Sequence, residues 1–107
     1  MKTAIVCAIF VCAALLEVGG DAIIRKGLRA PNIILIVAGF LVLGSYGLIV
    51  NIVRWDFSKM LGVYVAFFAI VSVTVGRIAF KENVSMSTLI GLITIILGGL
   101  IIQVGSK

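Results

Sequence analysis

Apolar residues run in four long blocks along this chain, and the charged positions fall almost wholly between them. The blocks cover residues 3 to 24, 33 to 53, 60 to 80 and 85 to 104. Each approaches the roughly 20 residues that a helix needs to cross the hydrocarbon core of a bilayer. The segments between them, Arg25 to Asn32, Arg54 to Lys59 and Lys81 to Val84, are short. Short connections favour sequential antiparallel neighbours and leave no room for a domain outside the membrane. The pattern therefore predicts an all-α integral membrane protein, with residues 1 to 107 forming a single domain of four transmembrane helices.

Composition agrees with the pattern. With 63% hydrophobic residues and a mean hydropathy of +1.34, the chain is too apolar for a soluble domain of its length. A cleaved signal peptide is a poor reading of the first block, which is too long and carries Glu17 and Asp21. Cys7 and Cys12 read as small apolar packing residues, since neither number nor spacing points to a metal or a disulfide. The sequence has no nucleotide-binding loop, no cofactor motif and no histidine, so the expectation is a protein without a cofactor that is not an enzyme.

The net charge of +5 does not imply nucleic acid, because the basic residues cluster at helix ends, where they meet lipid headgroups. Four spans would put Lys2, Arg54, Lys59 and Lys107 on one side and Arg25, Lys26, Arg29, Arg77 and Lys81 on the other. Orientation follows the Lys and Arg bias, and this bias is nearly even. Either one orientation is weakly decided, or both are inserted and pair as an antiparallel dimer. The dimer is the preferred reading, since one small four-helix unit encloses little space and a dimer of this kind supplies an inverted repeat.

Glu17 breaks the first block. An acid at membrane depth is disfavoured by at least about 2.5 kcal/mol, and its default reading is functional. Residues three, four or seven away share its helical face: Phe10, Ala13, Ala14, Gly20, Asp21 and Ile24. Asp21 lies one turn on, and Arg25 one turn beyond that. In one reading the two carboxylates share a polar cavity and exchange protons as a coupled pair. In the other, Asp21 pairs with Arg25 at the interface and Glu17 alone is unusual. The structural alternative for Glu17 is a hydrogen bond between helices.

The other blocks offer weaker signals. In the second, Gly39, Gly44, Ser45, Tyr46, Gly47 and Asn51 suit close helix packing, while Ser45 and Tyr46 also suit a cavity lining. Trp55 reads as an interfacial anchor. In the third, Tyr64 and Phe67 are three apart, the spacing of an aromatic wall that would bind an organic cation, although such spacing also serves a core or a lipid-facing surface. Arg77 is close enough to its helix end to snorkel. In the fourth, Gly91 and Gly98 are seven apart, with Thr94 between them and Gly99 beside them. They suit either a dimer contact or packing within one protomer.

Taken together, these landmarks resemble the small multidrug resistance family of the drug/metabolite transporter superfamily. The resemblance rests on Glu17-Val18-Gly19-Gly20 with Arg25, on Ser45-Tyr46 with Asn51, on Gly62-Val63-Tyr64-Val65-Ala66-Phe67, and on Ile90-Gly91 with Leu97-Gly98-Gly99-Leu100-Ile101-Ile102, and it covers nearly the whole chain. It implies an antiparallel homodimer in a bacterial or archaeal plasma membrane, exchanging protons for small or hydrophobic organic cations such as quaternary ammonium, guanidinium-like or polyamine compounds. Glu17 would carry the proton or the substrate, Tyr64 and Phe67 would form the aromatic wall, Ser45 would partner the acid, and Gly91 and Gly98 would serve the dimer. The chain departs from the family pattern at Gly20, where guanidinium exporters carry Trp, at Phe67, where hydrophobic-cation exporters carry Trp, at the additional Asp21, and in lacking a Pro before the third helix. Two other classes stand beside this one: a non-catalytic subunit of a heteromeric lipid-carrier or polyamine translocator, and a small ion channel.

Overall fold

Pro31 ends the first helix. In the computed structural model, which describes residues 2–105, α1 runs over Thr3–Arg29, past residue 24 where the apolar block stops. Arg25, Lys26 and Arg29 are good helix formers, and cations in the last turn suit its unpaired carbonyls. Proline cannot continue the ladder and disfavours helical backbone in the residue before it. The Ala30 N–H closes the helix on the Lys26 carbonyl at 2.9 Å, and the Asn32 N–H returns to the Gly27 carbonyl at 2.8 Å.

The helix α2, Ile33–Val50, begins at once. The Asn32 side-chain oxygen caps it, accepting from the Ile34 N–H at 3.0 Å and the Leu35 N–H at 3.4 Å, which satisfies amides that have no partner inside the helix. It stops short of residue 53. The Ile52 and Val53 amides bond the carbonyls of Ile49 and Val50 in a tighter final turn, and Asn51 donates its Nδ2 to the Gly47 carbonyl at 2.7 Å.

A second pair follows. The helix α3, Phe57–Ala79, starts before residue 60, because the Asp56 carbonyl already accepts the Met60 N–H at 2.9 Å. Two residues past its end, Lys81 with a φ of 54° reverses the chain, and the Glu82 N–H returns to the Gly76 carbonyl at 3.1 Å. A Cβ at Gly76 would stand 2.5 Å from Glu82 Oε1, so a larger residue there would require the Glu82 carboxylate to move aside. The helix α4, Met86–Gly105, is capped by Ser85, whose Oγ accepts the Thr88 N–H at 3.1 Å.

All four helices are long and apolar enough to cross a membrane. The chain divides into two compact hairpins, one up to Val53 and one from Arg54 onward. Lys107, counted above among the cations of one side, lies outside the described residues. Large apolar side chains stand exposed along the helices, Leu41 at 70%, Leu48 at 77% and Ile101 at 71% among them. Surface of that kind belongs in hydrocarbon or against a partner rather than in water.

Contacts at glycine fix the register of each hairpin. In the first, a Cβ on Gly27 would meet the backbone nitrogen of Ile36 at 3.0 Å, and one on Gly20 would meet that of Leu43 at 2.9 Å. Seven residues along α1 thus correspond to seven along α2, the signature of a straight antiparallel pair. In the second, Gly62 lies against the Ile102 side chain and Gly99 against the Cβ of Ala66. Small residues allow this close approach, which is the main source of helix attachment where lipid is as apolar as the side chains.

Candidate functional site

Glu17 lies one turn before Gly20 on α1 and is half-buried. Around it on the same face, Phe10, Ala13, Ala14 and Gly20 are buried, so the carboxylate belongs to the packed side of the helix. Asp21 is exposed. The two acids therefore occupy different surroundings although they are one turn apart.

Continuing the register three residues from Gly20 and Leu43 leads to Glu17 on α1 and Tyr46 on α2. Tyr46 is half-buried, as is its neighbour Ser45. The glycine contacts below this point hold the helices close and bring an acid and a phenol together at one depth.

The other polar groups of these helices show why Glu17 is chemically distinct. Ser45 donates its hydroxyl to the Leu41 carbonyl at 2.9 Å. Thr74 donates to Ile70 at 2.8 Å, Ser72 to Ala69 at 3.0 Å and Thr94 to Ile90 at 2.8 Å. Each hydroxyl is satisfied by a carbonyl of its own helix, the local solution open to a donor in an apolar setting. An ionised carboxylate has no proton to give, and the amides of a helix interior are already committed. Glu17 must instead take a proton, accept from a donor such as the Tyr46 phenol, or face a cation. Ser45, expected as a partner of the acid, has its proton directed to Leu41 and offers Glu17 only lone pairs.

In the second hairpin, Tyr64 is 3% exposed and Phe67 half-buried. The ring of Tyr64 meets that of Phe68 with centroids 6.4 Å apart, tilted by 40°, a favourable arrangement for two aromatic quadrupoles. Phe68 lies one helical turn from Tyr64. The Lys59 ammonium lies 4.4 Å from the centre of the Trp55 ring, a cation–π pair at the start of α3. Of the glycines on α4, Gly99 is buried against α3, whereas Gly91 and Gly98 are exposed and a Cβ on either would meet nothing within 4 Å.

No group of three or more His, Cys, Asp or Glu side chains that would hold a metal occurs among the described residues. Cys7 and Cys12 are free thiols. Compared with family models, curated proteins and solved structures, the chain finds no match in any of the three.

Proposed function

We propose that this protein is a multi-pass transporter of the plasma membrane that exports organic cations in exchange for protons, with Glu17 as the group that carries one or the other. The observation that carries the reading is the placement of Glu17: a half-buried carboxylate on the packed face of a membrane-length helix, level with Tyr46 in the register of the first hairpin, where the Ser45 proton is already spent on the Leu41 carbonyl. An acid so placed exchanges one positive partner for another more readily than it remains bare. A proton and a substrate cation compete for it, so binding of one releases the other. Tyr46 holds the ionised form by hydrogen bonding, while Tyr64 and Phe67 keep the role that the small multidrug resistance resemblance gives them, aromatic contacts for the cation.

Two copies in antiparallel arrangement complete the proposal. The nearly even division of Lys and Arg supports it, as do the open Gly91 and Gly98 on a helix of which only Gly99 is buried. Exchange of two asymmetric protomers would then present the site to each side in turn. The test is solid-supported-membrane electrophysiology on liposomes containing the protein alone, across guanidinium, quaternary ammonium and polyamine compounds. Substrate-dependent, proton-coupled currents are expected for at least one class. Their absence for every class, or flux at channel rates that ignores the proton gradient, would overturn the reading.

A further inference from the structure

The apolar blocks of α1 and α2 lie side by side but out of step. The contacts of Gly27 with Ile36 and of Gly20 with Leu43 set Ile24, the last apolar residue before Arg25, level with Gly39. They set Phe10 level with Val53, the last apolar residue before Arg54, and both are buried. Past Ile24, the exposed Lys26 and Arg29 stand level with Val37 and Ile34, which are 51% and 75% exposed. Towards the N-terminus, α1 carries Ile5, 49% exposed, beyond the level at which the apolar run of α2 has ended. The block of α1 is centred between Ala13 and Ala14, and that of α2 on Leu43, level with Gly20. Along the axes the two centres are about 10 Å apart.

A hydrocarbon core of about 30 Å suits neither helix without offending the other. Centred on residues 33 to 53, it draws Lys26 about 6 Å below its surface and leaves the apolar turns from Ala4 to Ile9 outside. Centred on residues 3 to 24, it draws in the Arg54 end and leaves Ile33, Ile34 and Val37 outside. Tilting the pair within its own plane removes both faults. With axes roughly 8 to 10 Å apart, a tilt near 50° brings the two centres to one depth and shortens each block from about 32 Å to about 21 Å along the membrane normal. Without tilt, only residues 10–24 and 39–53 are apolar on both helices at once, again about 22 Å. Upright or tilted, the hairpin matches the same thin layer.

The second hairpin does not oppose this. Gly62 against Ile102 and Gly99 against Ala66 set residues 60 to 80 level with residues 85 to 104, with no such offset. A pair of that kind fits a thinner layer by tilting, whereas nothing lengthens the matched part of the first hairpin.

We propose that this protein fits a hydrocarbon layer of about 22 Å and therefore prefers phospholipids with short acyl chains around it. Longer chains must compress against the first hairpin or take its cations in, and each ångström of excess is disfavoured. The inference rests on the membrane spans and not on the transported cation.

The test is thermal unfolding of the full-length protein, followed by circular dichroism in phosphatidylcholine vesicles. Their monounsaturated chains lengthen in steps of two from fourteen to twenty-two carbons. The midpoint is expected to be highest at fourteen or sixteen carbons and lower by about 5 °C or more at twenty-two. Lys26→Leu with Arg29→Leu extends the apolar block of α1 towards Pro31 and is expected to move the best chain length upward by at least one step, while Lys81→Leu, past the end of α3, leaves it in place. If Lys26 and Arg29 instead reach the surface of an ordinary core by snorkelling, the parent peaks at eighteen or twenty carbons, and the proposal fails. It also fails if the midpoint ignores chain length, or if the folded double variant keeps the optimum of the parent. Should the double variant not fold, the series on the parent decides alone. An alkaline carbonate wash separates this failure from that of the membrane reading: a protein stripped from membranes by the wash contradicts the spans themselves.

Discussion

Gly20 and Gly39 meet backbone to backbone across the first hairpin: a Cβ on Gly20 would lie 3.1 Å from the Gly39 carbonyl oxygen, and one on Gly39 would lie 3.0 Å from that of Gly20. Neither atom belongs to a side chain that can swing away, so a methyl group at either position forces the helices apart. Overpacking of this kind is destabilising by about 1 to 3 kcal/mol. Gly39→Ala is expected to lower the thermal stability of the purified protein and reduce transport, because the separation also loosens the level at which Glu17 meets Tyr46. Gly44→Ala on the same helix, where a Cβ meets nothing within 4 Å, is expected to leave stability near that of the parent. Equal effects of the two substitutions in a melting experiment would contradict the register.

Tyr46→Phe removes a hydroxyl and keeps the ring. A hydrogen bond to a charged group is worth about 1.5 to 3 kcal/mol, so transport is expected to fall on the order of tenfold while folding is retained. Unchanged rates in the liposome assay would mean that the phenol does not serve Glu17.

Ser45→Ala is expected to change transport by less than about twofold, since the hydroxyl proton already goes to Leu41 and such back-bonding adds little to the helix. A variant as inactive as one lacking the carboxylate of Glu17 would assign Ser45 a direct part in proton or substrate binding.

The three glycines of α4 separate two kinds of packing. Gly99→Leu is expected to disrupt the second hairpin, where Ala66 occupies the space, and to show itself as lost thermal stability. A Cβ on Gly98 meets nothing within 4 Å, and Gly98→Leu is expected to weaken the proposed dimer by at least tenfold, read from single-molecule photobleaching in liposomes diluted in protein. A dimer indifferent to Leu at position 98 would move the interface elsewhere.

Much of this arrangement was legible in the chain. Helix number and order follow from block length, and the 3.6-residue period groups Phe10, Ala13, Ala14, Gly20, Asp21 and Ile24 with Glu17, of which the first four are buried, Ile24 is half-buried and Asp21 is exposed. The end of α1 was also readable, since Pro31 marks it, but the charges at Arg25 and Lys26 drew the boundary inward because hydropathy falls where helical backbone does not. Pairing between helices was not legible. Which residue of α2 stands opposite Gly20 depends on side chains meeting across the hairpin, and without that register Tyr46 is one polar residue among several. The same limit explains α4, where Gly98 and Gly99 are adjacent and identical in type, yet only one is covered.

The most direct test of the central claim is the substrate affinity of the parent and of Glu17→Gln measured as a function of pH, by calorimetry on the purified protein with a transported cation. A single carboxylate shared by proton and substrate predicts affinity that weakens as the solution becomes more acidic, with about one proton released per cation bound in the simplest stoichiometry, and predicts that Glu17→Gln binds weakly at every pH and releases none. Affinity in the parent that does not depend on pH, or proton-coupled transport retained by Glu17→Gln, would contradict it.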